Sequence, residues 1–161
     1  MTPSRACEHG DDTRQRGHPR WARALITELR ASHQVAGIRI VGGAALALRY
    51  FDVEKADALP TFGRRPVQWE TIYAHDGIVI QVAAKDAMLA MKLRANRPGR
   101  DTNDIRQLLR LCDVTTLDDA EELYEDFYPG DALSDRAVKM VVAILEGGLP
   151  DEVRSPGPIE L

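Results

Sequence analysis

Apolar positions along the chain follow two periods, mixed up to about residue 83 and helical after it. Trp21, Leu25 and Leu29 recur at i, i+4 and i+8 with Ala24 beside them, which predicts an amphipathic helix that buries this stripe and ends before Gly37. Gly37-Ile38-Arg39-Ile40-Val41 is a β-branched run and predicts a strand. Gly42-Gly43 break it, and AALALRY over residues 44–50 is strongly helix-forming. Residues 52–66 read as a loop punctuated by Pro60, Gly63 and Pro66. Two β-rich runs, 68–74 and 77–83, are joined through His75-Asp76-Gly77, and Asp-Gly between such runs signals a hairpin.

Helical spacing governs the rest. A helix over residues 84–96 ends before Pro98-Gly99. Asp101 reads as the N-cap of a helix over 102–112 with Ile105, Leu108, Leu109 and Cys112 as its apolar stripe. Thr116 opens a helix that turns Leu117, Ala120, Leu123, Tyr124 and Phe127 inward, with Asp119 at N3 completing a partial capping box. Ser134 opens the last helix, which buries Ala137, Met140, Val141, Ile144 and Leu145 and stops at Gly147-Gly148. The predicted fold class is α+β: a small mixed sheet with flanking helices, followed by a helical C-terminal half. Residues 1–19 show no apolar period and read as a disordered arm, residues 20–149 as one domain, and residues 150–161 as a loose tail.

Composition narrows the function classes. With 161 residues, 44% hydrophobic and 29% charged, the chain can bury a core. A formal net charge of −4 excludes a broadly basic nucleic-acid coat. The longest uncharged run, Ile40–Leu48, is far below the roughly 18 apolar residues of a membrane helix. The N-terminal stretch lacks the apolar region of a secretory signal, so a soluble cytoplasmic protein without a membrane partner is expected. Cys7 and Cys112 suggest no disulfide framework, and Cys7, His9 and His18 lack a fourth ligand at tight spacing. Charge is segregated: residues 85–110 hold seven bases against three acids, and residues 111–135 hold nine acids and no base. That pattern fits either a local anion site or two solvated helix faces of opposite sign.

Three features carry candidate chemistry. Gly42-Gly43, between a strand and a helix, would let backbone N–H groups approach a phosphate. Lys92 is the only charge in residues 87–93, on a helix apolar on nearly every face, and a buried ammonium needs an anionic partner or a route to water. In Arg100-Asp101-x-x-Asp104, Asp101 has the position of a cap and Asp104 lies in the positive first turn.

VGGAALALR followed by MLAMKLRANRPGRDTNDIRQLL resembles the nucleotidyltransferase-like family that includes the AbiEii and MenT-type toxins of bacterial toxin–antitoxin systems. The resemblance runs from Ile38 to Tyr128 and takes in the acidic helix and Tyr-Pro-Gly turn after it. It implies a polymerase-β-like core, a nucleoside triphosphate held through Gly42, Gly43, Lys92, Arg100, Asp101 and Asp104, and Mg²⁺ as cofactor. It also implies nucleotide transfer to an RNA, such as tRNA, or to a protein, and a cognate antitoxin as partner. One departure stands against it. The family carries an Asp-x-Asp pair on a second strand, because two-metal chemistry clamps the attacking and leaving oxygens between carboxylates, and here the chain passes from Tyr50-Phe51 through a loop to the hairpin. Asp52 and Glu54 sit at i, i+2 and are the candidate catalytic and metal-binding pair that remains. The position of a third carboxylate holds Gln81, a poor hard-metal ligand. Either Asp52 and Glu54 form a displaced metal pair, or the catalytic strand is lost and a phosphate-binding remnant or scaffold remains; the residues favour the second. The alternative function is a catalytically inactive homologue acting as an interaction module through its basic and acidic stretches. No serine lies in a nucleophile-elbow pattern; His33 and His75 are isolated, Cys112 reads as a core residue, and Trp69 and Tyr73 read as packing.

Overall fold

The computed structural model describes residues 20–32, 36–41 and 65–153. The N-terminal arm with Cys7, His9 and His18, His33, the Gly42-Gly43 turn, the helix predicted over 44–50, the Asp52/Glu54 pair, most of the following loop and the end of the tail lie outside the described residues. The described residues are α+β, with five helices and a three-stranded mixed sheet: α1 (Arg20–Ala31), β1 (Ala36–Ile40), β2 (Trp69–His75), β3 (Ile78–Ala83), α2 (Lys85–Ala95), α3 (Thr102–Leu111), α4 (Leu117–Phe127) and α5 (Asp135–Glu146). None of these helices is long and apolar enough to cross a membrane.

The sheet order is β1-β3-β2, with β1 parallel and β2 antiparallel to β3. Asp76 and Gly77 form the β2–β3 turn with φ of 51° and 76°. Positive φ at both central positions matches the strand twist, which is why Asp-Gly works there. Alternation on β3 turns Ile78, Ile80 and Val82 to one sheet face and Val79 and Gln81 to the other. Ile78 and Ile80 face α1 and cluster with Ile26, Leu29 and Ile38. Val82 and Ala83 join the larger core formed with α2 to α5.

One sequence expectation fails locally, and one strand carries an irregularity that the sequence reading did not address. The buried face of α1 is Ala22 and Ile26, while Trp21 is 43% exposed and Ala24 is exposed. Both sets have helical spacing, and the sheet selects the one with the β-branched Ile26 opposite Ile78 and Ile80. On β2, the register shifts between Thr71 and Tyr73, leaving Ile72 as an extra residue. Trp69 consequently packs against the helical core and Tyr73 against the α1 cluster, instead of the two sharing one face.

The helical half follows its pattern closely. α2 buries Ala87, Met88, Leu89, Ala90, Lys92 and Leu93, so core surrounds it on nearly every side. Ile105, Leu108 and Leu109 are the buried stripe of α3, and Cys112 is partly buried at its end. The Lys85 ammonium donates to the carbonyl of Leu111 there, placing a cation at a helix C-terminus where the dipole favours it. Burial pushes the Cys112 thiol up to about 12. α4 starts with a complete capping box: the Thr116 hydroxyl accepts from Asp119 N at 3.1 Å, and Asp119 Oδ2 accepts from Thr116 N at 3.0 Å. Thr116→Ala is expected to lower unfolding free energy by about 1 kcal/mol in urea titrations, with Thr116→Ser close to wild type. Ser134 caps α5 through Ala137 N at 3.3 Å. The segment entering β2 is tied to the helices by Arg65, which bonds Asp126 at 3.1 Å and lies 4.8 Å from the centre of the Phe127 ring.

Candidate functional site

The two later motifs of the sequence converge on one ammonium group. α2 must end at Asn96, because Pro98 cannot continue a helix pattern and excludes the helical conformation for Arg97 before it. Asn96 takes a left-handed C-cap conformation with φ of 31°. Its buried amide donates to Leu93 O at 3.0 Å and Ser134 Oγ at 3.1 Å, and its Oδ1 accepts from Arg136 Nε. Those bonds join the end of α2 to the start of α5 and fix the angle at which residues 97–100 leave. Gly99, at φ of 72°, lets the chain turn back into α3.

This turn sets the first residues of α3 beside the middle of α2. Lys92 Nζ donates to Asp101 Oδ1 at 2.9 Å and to Asp104 Oδ2 at 2.6 Å. Asp101 is fully buried. It also accepts from Arg97 at three atoms: Nε and the backbone N on Oδ2 at 2.9 and 3.0 Å, and Nη2 on Oδ1 at 3.0 Å. Lys92 is 8% and Asp104 is 7% exposed, so all three ionic residues sit at the inner edge of the bundle.

The two carboxylates titrate in opposite directions. Burial disfavours the charged form of Asp101, but the hydrogen bonds from Arg97 and Lys92 together outweigh it and hold the carboxyl at about 2, below its ordinary 3.8. Burial likewise opposes charge on Asp104, where a single bond from Lys92 does not compensate and the negative Asp101 adds to the effect, so its pKa is raised. Asp101 is therefore the anchored anion of the cluster, and Asp104 is the group that more readily takes a proton.

Asp101 does not cap α3 as the sequence suggested. It stands at the N-cap position with helical dihedrals (φ −99°, ψ −10°), and its side chain makes no capping bond. A short acid before a helix normally bonds the first-turn N–H groups. Here two cations reach it first, and charge-assisted bonds are the stronger ones. Arg97 is the member of the cluster that the sequence reading missed; its place four residues before Asp101 was the available signal. Arg100, a neighbour of Asp101 in sequence, is exposed. The anionic partner expected for Lys92 is thus supplied by the chain itself. Lys92 and Arg97 balance Asp101 and Asp104 one for one.

Gln81, at the strand position of a third carboxylate, lies on the sheet face away from α1. Its Oε1 accepts from Arg39 Nε at 3.4 Å and its Nε2 donates to Thr71 Oγ1 at 3.3 Å, so one polar row crosses all three strands. Arg39 also lies over the Trp69 ring at 4.9 Å. Among the described residues no group of three or more His, Cys, Asp or Glu could hold a metal ion. Asp101 and Asp104 face cations, and Gln81 offers a neutral amide; these donors do not fit Mg²⁺. His75 is exposed at the hairpin, 2.7 Å from Asp76 Oδ1. Of the site residues named from the sequence, Lys92, Asp101 and Asp104 are brought together, Arg100 is exposed, and Gly42, Gly43, Asp52 and Glu54 lie outside the described residues. No family model, curated protein or solved structure matches the chain.

Proposed function

We propose that this chain is a nucleotidyltransferase-like protein of the bacterial toxin–antitoxin type that binds the phosphates of a nucleoside triphosphate. The observation that supports this reading best is the convergence of the Lys-Leu-x-Ala and Arg-Asp-x-x-Asp segments on the Lys92 ammonium. Asp101 holds that ammonium in place while itself fixed by Arg97, and Asp101 and Asp104 take two of the three Lys92 N–H groups. The resemblance assigns Arg100, which is exposed, to a second phosphate oxygen. Mg²⁺ and transfer to an RNA such as tRNA or to a protein enter this reading only through Asp52 and Glu54, and a cognate antitoxin enters through the resemblance.

The internal charge balance of the cluster favours a second reading, an inactive homologue that serves as an interaction module. Incubating the chain with labelled nucleoside triphosphates, Mg²⁺ and tRNA separates the two. The first reading expects nucleotide binding that Arg100→Ala weakens about tenfold without altering the circular dichroism spectrum. Absence of both binding and label transfer overturns it; binding without transfer, unaffected by Asp52→Asn and Glu54→Gln, leaves the phosphate-binding remnant.

A further inference from the structure

Asp101 and Asp104 share the Lys92 ammonium but hold it differently. Asp101 accepts three bonds from Arg97 besides the one from Lys92, and its side chain is fully buried. Among the described residues the Asp104 side chain accepts one bond, from Lys92 at 2.6 Å. The Lys92 and Asp104 side chains each keep 10% of their surface in water. Their bond is therefore the edge of the cluster that a dissolved anion meets first. The charged groups acting on Asp104 are Lys92 from α2, Arg97 from the turn before α3, and Asp101 from the start of α3.

With both carboxylates ionised the cluster has no net charge, since Lys92 and Arg97 offset Asp101 and Asp104. An anion brought to Lys92 adds a third negative group around one ammonium. Like charges so close disfavour ionisation, and the least firmly held carboxylate takes up a proton. Asp101 is not that group, because the bonds from Arg97 and Lys92 hold its carboxyl at about 2. Asp104 is: burial, and then the negative Asp101, already raise its pKa above the ordinary value. A proton there leaves the cluster with one net positive charge at the edge that meets water.

We propose that Asp104 is a proton-linked gate on Lys92, so that arrival of a phosphate oxygen at the ammonium and uptake of one proton by the Asp104 carboxylate are coupled. The inference rests on the reading of Lys92 as a phosphate-binding group and adds to it a control by pH. The proton passes from solvent to a carboxylate oxygen of Asp104, and the negative charge it cancels is replaced at Lys92 by that of the phosphate. Asp101, fixed by Arg97, keeps the ammonium in place throughout. The coupling is reciprocal: phosphate raises the proton affinity of Asp104 by the same factor as the proton raises the affinity for phosphate.

The test is isothermal titration calorimetry of the full chain with ATP at pH 7, in two buffers of different ionisation enthalpy, which counts the protons exchanged per ATP bound. Wild type is expected to take up more protons than Asp104→Asn, in which the titration of ATP itself is unchanged. Asp104→Asn is also expected to bind ATP about tenfold more tightly, the equivalent of a one-unit rise in the Asp104 pKa on binding. That gap is expected to narrow as pH falls, because wild-type Asp104 then carries its proton before the ligand arrives. Asp104→Ser, which also lacks the carboxylate, is expected to behave in the same way. ATP binding by wild type with the same proton exchange as the variants, or binding that either folded variant weakens, overturns the gate and leaves the phosphate site standing. No ATP binding by wild type or either variant overturns both.

Discussion

Asp101→Asn is expected to lower the unfolding free energy at pH 7 by about 3–5 kcal/mol, the cost of removing one partner from a buried ion cluster. The substitution keeps the shape and removes the charge that two cations share at four hydrogen bonds. Lys92 then keeps Asp104 alone of its two carboxylate partners, and its buried ammonium is left undercompensated. Against a total of about 5–15 kcal/mol for a folded domain, that is a large fraction. The pH dependence separates this cause from lost packing. A carboxyl held at about 2 in the folded chain and at 3.8 when unfolded stabilises the fold fully above about pH 4, by about 2 kcal/mol, and loses that contribution as pH falls toward 2. The difference between wild type and variant in urea titrations is therefore widest at neutral pH and narrows in acid. Asp104→Asn is expected to cost less, because its raised pKa means that its charge already opposes folding at neutral pH and is relieved as pH falls. A uniform penalty at every pH would show that Asp101 acts through shape alone.

The second large effect is in α2. Leu89→Ala is expected to cost about 3 kcal/mol and to lower Tm by about 10 °C in thermal melts. Leu89 has no exposed surface, and α2 is enclosed by the sheet end, α3 and α4, so its neighbours cannot collapse into the space from one free side. Leu89→Met, which conserves volume, is expected to stay within about 1.5 kcal/mol of wild type. Trp21→Ala provides the contrast: the larger residue is 43% exposed on the outer face of α1, and its loss is expected to stay within about 0.5 kcal/mol. A severe effect at Trp21 would place the α1 stripe where the sequence pattern first put it.

Local signals carried much of the fold into the sequence. The hairpin rested on Asp76-Gly77, the start of α4 on Thr116 and Asp119, and the inward faces of α3 to α5 on their 3.6-residue spacing; each involves residues no more than four apart. What the pattern could not decide depended on contacts between elements. Two stripes on α1 had helical spacing, and only Ile78 and Ile80 of the sheet distinguish Ile26 from Trp21 as the core residue. Alternation on β2 was legible but the extra residue at Ile72 was not, because a bulge is set by pairing with β3. The site divided in the same way. Lys92 was recognisable as a buried charge in need of a partner, since it interrupts an apolar helix. That the partner is Asp101, nine positions on, depends on the turn at residues 97–100 and on Asn96 holding that turn. A residue that satisfies a local rule, as Asp101 does for capping, can be taken over by a stronger distant one.

The burial of Cys112 has a consequence for redox chemistry. With its thiol pushed up to about 12, Cys112 stays in the thiol form at neutral pH, and the thiolate is the form that oxidants and alkylating reagents attack. Cys112 in the folded chain is thus expected to react more slowly with thiol reagents than an exposed cysteine. Once α3 frays from α2 the thiol regains ordinary reactivity, and its modification becomes a clock for the opening of the helical core.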